Sequence, residues 1–102
     1  MKPNTSLLEW REFGMQSAPS IRTAFETGPY PGMDKIITYL ENGRVCLTAA
    51  GVGVDAITGK QVMGFRQILT DGEYGWSSML PYYIREYNMR LPKAFEDKVL
   101  RQ

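Results

Sequence analysis

Ile68-Leu69-Thr70-Asp71-Gly72-Glu73-Tyr74-Gly75-Trp76-Ser77-Ser78-Met79-Leu80-Pro81-Tyr82-Tyr83-Ile84-Arg85-Glu86-Tyr87 holds a strand, a turn, a second strand and a helix signal in one run. Asp71-Gly72 is a tight-turn pair, because Asp can bond its own backbone two residues on and Gly tolerates positive φ. It separates an apolar run ending at Leu69 from Tyr74 and Trp76, so the chain is read as doubling back on itself. Ser77 or Ser78 then offers a helix cap, and Pro81 is tolerable only inside a first turn. Leu80, Tyr83, Ile84 and Tyr87 form one apolar stripe, and Asn88 is a candidate end. A hairpin running straight into a helix points to an α+β fold.

Working upstream, Val62, Met63, Phe65, Ile68 and Leu69 are too mixed for clean alternation, and Gly64 among them suggests a bulge. Thr58-Gly59-Lys60 reads as a turn. Val45, Leu47 and Ala49 alternate with Cys46, Thr48 and Ala50 ahead of Gly51 and Gly53, which reads as a strand. About three antiparallel strands result, roughly 44–50, 61–69 and 73–76, packed with N-terminal and C-terminal helices. Residues 34–42 carry two readings. Met33, Ile36, Ile37 and Leu40 have helical spacing with Asp34 as N-cap and Gly43 as stop, whereas Asn42-Gly43 is also a hairpin turn. The helix accounts for both ends and is preferred.

At the N-terminus, Ser6-Leu7-Leu8-Glu9 matches a capping box, followed by Leu7, Trp10 and Phe13 at three-residue spacing and Gly14 as a stop. A short helix is expected there, and a weaker one between Pro19 and Gly28, where Ile21, Ala24 and Phe25 share a face. Pro29-Tyr30-Pro31-Gly32 cannot continue any regular element. After Asn88, Leu91-Pro92 restarts the chain into a short helix with Phe95 and Val99 four apart.

The 102 residues make one domain, and 43% hydrophobic with 12% aromatic residues is enough to build its core without staples. One cysteine cannot close an internal disulfide, and nothing at the start resembles a secretory signal, so a reducing, cytoplasmic location is expected. No apolar run approaches the ~20 residues a membrane helix needs. With a net charge of +1, the chain has no long-range field to recruit nucleic acid or an anionic membrane.

No histidine is present, which removes His-dependent triads and His-ligated metals, and one cysteine cannot hold zinc. No metal and no cofactor are expected. Cys46, between two apolar residues of a strand, reads as a buried core thiol. Gly51-Val52-Gly53-Val54-Asp55-Ala56 formally satisfies a dinucleotide fingerprint, but Thr58-Gly59 interrupts the helix that such a site requires. Read as a phosphate loop, the same segment is misspaced, and Gln61 stands where a hydroxyl should bind magnesium. Asp71 and Glu73 could form an acid and base pair, although a turn demands Asp and Gly on backbone grounds alone.

The aromatic residues give the positive signal. Tyr74, Trp76, Tyr82, Tyr83 and Tyr87 exceed what one helix face must bury, so some should reach the surface. Tyr74, Trp76, Tyr82 and Arg85 are the candidate partner-binding residues, of the types enriched at binding hot spots. Stacking on single-stranded nucleic acid beside Arg66, Arg85 and Arg90 is disfavoured by the near-neutral charge.

Ile68 to Trp76, followed by Leu80, Tyr82-Tyr83-Ile84, Tyr87 and Leu91-Pro92 with Phe95, resembles a pattern found in small bacterial proteins. The likeness covers roughly the C-terminal third, with an echo in Tyr39-Leu40 to Gly43 and in Asp55 to Gly59. It implies a bacterial source and a small stand-alone domain, of the kind that often serves as an immunity protein neutralising a toxin. It carries no catalytic residues across. The leading expectation is therefore a non-catalytic protein-binding module. The alternative is a small-ligand-binding or weakly catalytic domain using Gly51 to Gly59 with Asp71 and Glu73.

Overall fold

The computed structural model describes residues 5–7, 10–11, 17–49 and 51–102. Its centre is the expected hairpin, in which β5 (Arg66–Thr70) and β6 (Tyr74–Ser77) run antiparallel with Leu69 opposite Trp76. Asp71 builds the turn: its Oδ1 accepts from the amides of Glu73 at 2.9 Å and Tyr74 at 2.7 Å, and Gly72 takes φ +98°.

The helix α2 (Leu80–Tyr87) follows with Pro81 in its first turn, and Asn88 ends it in the left-handed conformation at φ 54°. Neither serine is its N-cap, which is Met79. Ser77 Oγ accepts instead from the Met79 amide, and Ser78 Oγ accepts from the Gln67 amide, stitching the strand-to-helix corner back to β5.

Helix α1 (Met33–Glu41) settles the two readings of residues 34–42 in favour of the helix, with Ile36, Ile37 and Leu40 buried. Its N-cap is Gly32 at φ +85°, and Asp34 lies inside the first turn, where a carboxylate favours the positive end of the helix dipole. Gly43 follows because the backbone passes so close to β6 that a Cβ there would stand 2.5 Å from Trp76 Cζ2.

Strand β2 (Arg44–Ala49) pairs antiparallel with β5, and a register shift between Val45 and Leu47 makes Cys46 an extra residue in the ladder. The expected strand 61–69 is two strands. β4 (Gln61–Met63) folds back on β3 (Gly53–Val54) as a two-stranded ribbon, and Gly64-Phe65 release the chain into β5 of the larger sheet.

The N-terminal expectation is corrected in its described part. Thr5–Ser6 form β1, parallel to β6, and the Leu7 amide donates to the Gly75 carbonyl at 2.7 Å. Ser6 is therefore a strand residue and not a helix cap; tertiary pairing with β6 overrides a local capping signal. The rest of that expected helix, Leu8, Glu9, Phe13 and Gly14, lies outside the described residues. Between Pro19 and Gly28 the helix shrinks to a single 3-10 turn, Ile21–Ala24, and Phe25 bridges to Met89.

The larger sheet has the order β1-β6-β5-β2. Its Leu69 and Trp76 face meets α1, α2 and α3 (Lys93–Leu100), and Trp76, Leu40, Leu80, Ile84 and Phe95 are fully buried between these layers. Tyr74, Trp76 and Tyr39 set ring edges against Phe95 with centroids 4.9 to 5.8 Å apart. The start of α3 is held by Glu96, whose carboxylate accepts from the Leu91 amide at 2.9 Å and pairs with Arg90 at 2.7 Å. No helix among the described residues is long and apolar enough to cross a membrane.

Candidate functional site

The four residues singled out by type separate into two pairs. Trp76 is 0% exposed and Tyr74 is buried beside it, so both belong to the core and neither can meet a partner. Alternation explains this outcome: both lie on the sheet face that the helices cover, and Trp76 spends its polar N–H internally, donating to the Leu40 carbonyl at 3.0 Å. Tyr82 and Arg85 stay at the surface of α2. They border a groove of about 410 Å³ between α1, α2, β4 and β5, whose floor includes Leu40, Met63 and Leu69. Across its mouth Arg85 pairs with Glu41 at 2.7 Å, with roughly half of each side chain in solvent. Such a pair contributes little to folding and remains available for exchange with a ligand's charges.

Tyr82 also has an internal task. Its hydroxyl donates to Asp55 Oδ2 at 2.5 Å, and Tyr87 donates to the same oxygen at 2.6 Å. Oδ1 accepts from the amides of Ile57 and Thr58 at 2.7 and 3.1 Å, while the Ala56 amide donates to the Tyr83 hydroxyl at 2.9 Å. Asp55 is 0% exposed. Burial pushes its carboxyl up, but the two tyrosine hydroxyls and two amides more than offset that and hold it below the usual carboxylate range. Each tyrosine responds in the opposite sense: the hydrogen bond to Asp55 raises Tyr82, and burial with that same carboxylate pushes Tyr87 up to about 12.

Gly51 to Gly59 is accordingly a hairpin fastened to α2 by a buried aspartate. No helix begins in it, and Gly53 is required because a Cβ would stand 2.3 Å from Met63 Cγ. Asp71 is similarly occupied. Its Oδ2 accepts from Tyr39 at 2.5 Å and Lys98 at 2.8 Å, and Lys98 also reaches Glu73 at 2.7 Å. Burial opposes ionisation of Asp71, yet Lys98, Tyr39 and the two turn amides hold its carboxyl well below the usual range. A carboxylate engaged by these donors is a poor proton acceptor, while Gly72 and Glu73 of the same turn are exposed.

Cys46 corrects another expectation: it is exposed. β2 is the last strand of its sheet and overhangs the helical layer, so even Val45, directly opposite the buried Leu69, is 47% exposed. Leu47 at 59%, which the register shift turns to the other face opposite Ile68, and Phe65 at 71% are exposed as well, which periodicity could not reveal because it identifies strands without saying which one is terminal. The usable signal was Gly64-Phe65 itself, an aromatic residue after a glycine that breaks the alternation.

No family model, curated protein or solved structure matches this chain. Its chemistry must be read from its own residues. Among the described residues no three His, Cys, Asp or Glu side chains are gathered to hold a metal ion. The groove and the overhanging end of the sheet are joined by the chain, because Phe65 lies between Met63 and Gln67, both of which line the groove.

Proposed function

We propose that the chain is a protein-binding module whose contact surface combines the overhanging end of the sheet with the groove beside Tyr82 and Arg85. The observation that carries this reading is the exposure of three large apolar side chains on or beside the two strands at the β2 side of the sheet: Val45 on the face of Leu69, Leu47 on the face of Ile68, and Phe65 just before β5. A large aromatic residue at 71% exposure contributes nothing to the core, and burying it against a partner is favourable at about 25 cal/mol per Å². Tyr82 and Arg85 supply polar ends at the rim. Toxin neutralisation by binding is the specific role that the C-terminal resemblance implies, and a reducing, cytoplasmic setting suits a lone exposed thiol.

The test is retention of a protein in stoichiometric amount from native-host lysate by the tagged chain, repeated with Phe65→Ser and with Tyr82→Ala plus Arg85→Ala, each variant first shown by circular dichroism to be folded because Tyr82 also holds Asp55. Retention lost in either variant supports the reading, and a secreted toxin as the retained protein supports the immunity role. Retention of nothing, or retention indifferent to all three substitutions, overturns it. A small-ligand reading keeps one supporting observation, since a groove of about 410 Å³ is the size of many ligand sites. A rise in Tm with nucleotides or sugar phosphates at saturating concentration supports that alternative.

A further inference from the structure

The end of the sheet offers more than apolar side chains. In the order β1-β6-β5-β2, no described strand pairs with the outer edge of β2, so its outward amides and carbonyls form a template for another strand. Charge is distributed unevenly around this edge. Between Glu41 and Asp71 the only acidic residue is Asp55, which is buried and bonded, whereas Arg44, Lys60 and Arg66 are exposed and have no ion-pair partner among the described residues. Arg66 stands opposite Ala49 at one end of the β2 ladder and Arg44 lies at the other.

We propose that the β2 edge receives an extended segment of a partner protein by strand addition, and that this segment alternates apolar with acidic residues. The proposal rests on the binding reading above and specifies its mode. Register sets the faces: Val45 lies opposite Leu69, whereas Arg44, Leu47 and Arg66 share the face of Ile68, so valine or isoleucine side chains of the incoming strand meet Val45 on one face and its carboxylates meet Arg44 and Arg66 on the other. A second copy of this chain is a poorer occupant. Two β2 edges side by side would set cationic edge against cationic edge, and the extra residue at Cys46 interrupts the even ladder that identical edges would share. A single-stranded nucleic acid could use the cations and stack on Phe65, but it leaves the main-chain edge unsatisfied.

The experiment is amide-shift mapping by NMR on the full chain labelled with nitrogen-15. The probes are a short capped peptide of alternating valine and glutamate, its lysine-for-glutamate counterpart, and oligothymidylate. The acidic peptide is expected to shift the amides of Arg44 to Ala49, with binding weakened by added salt and about tenfold weaker for Arg44→Glu with Arg66→Glu. Both arginines are exposed, so that variant keeps its fold. The proposal is overturned if the acidic peptide leaves the β2 amides in place, if the lysine peptide moves them equally, or if oligothymidylate moves them and the peptide does not. It is equally overturned, in favour of self-pairing, if those shifts follow the protein's own concentration. Failure here with a partner still retained through Tyr82 and Arg85 removes only the strand-addition mode, whereas failure to retain any protein removes the wider reading.

Discussion

The hydroxyl of Tyr87 lies 2.6 Å from Asp55 Oδ2, joining the end of α2 to a loop 32 positions earlier in the chain. With Tyr82 on the same oxygen, a buried carboxylate becomes the fastening between the β3–β4 ribbon and the helix. Asp55→Ala leaves two hydroxyls and two amides without their acceptor, and it is expected to lower unfolding free energy by about 3 kcal/mol. Urea unfolding measures this, and a loss below about 1 kcal/mol would show that water replaces the carboxylate at little cost.

Acid is expected to weaken the same points. Asp55 and Asp71 both have carboxyls held below the usual range in the folded state, so their contributions are complete above about pH 4, the unfolded value, and are lost as pH falls below it. Urea midpoints should therefore fall as pH drops under 4, and Asp71→Asn should flatten that dependence. An unchanged slope in the variant would remove Asp71 from the account.

At the alkaline end the sign reverses. Burial pushes Tyr30 up to about 12, with the charge of Glu96 adding to it, and Tyr87 is pushed to about 12. These tyrosines stay protonated in the folded chain after their unfolded counterparts ionise near 10, so stability is complete below about pH 10 and declines up to about pH 12. Tyrosinate absorbance should rise together with loss of helical circular dichroism. Ionisation complete before any loss of structure would contradict the shared burial of these groups.

Gly43→Ala isolates a steric effect, because the glycine does not have positive φ and its replacement meets Trp76 Cζ2 at 2.5 Å. A loss of about 1–3 kcal/mol is expected, read as a lowered Tm with quenched or shifted Trp76 fluorescence.

Exposed positions should behave in the opposite way. Phe65→Ser and Arg85→Ala are each expected to change stability by no more than about 0.5 kcal/mol while altering partner retention. A large destabilisation at Phe65 would mean that its ring supports the fold.

Local signals carried the hairpin and its helix because Asp71-Gly72, Pro81 and Asn88 act on their immediate neighbours. The helix at 33–41 was legible from its apolar spacing and from Gly43 as a stop, although Asn42-Gly43 also left a hairpin open and Asp34, read as the N-cap, lies in the first turn behind Gly32. Three misreadings share a cause in long-range pairing. Ser6 has the chemistry of a cap but pairs with Gly75; Gln61 to Leu69 reads as one strand but serves two sheets; Cys46 reads as core but lies on a terminal strand. Residue type selected Tyr82 and Arg85 together with Tyr74 and Trp76, and only the position of the helical layer separates them. Asp55 drew notice within a glycine pattern, while its true partners, Tyr82 and Tyr87, lie a helix away.

The parallel pairing of β1 with β6 sets an order of assembly. Thr5 cannot find Tyr74 until nearly the whole described chain has been brought together, whereas β5 with β6 and α2 with α3 are neighbours in sequence. Closing so long a loop carries a large entropic cost, so the β1 contact belongs to the last steps of folding. Until it forms, the sheet has two unprotected margins. A newly made chain is thus open to misassociation at its β6 side as well as at β2, whereas in the finished one the two-residue β1 covers β6 and the six-residue β2 is the longer of the two outer strands among the described residues.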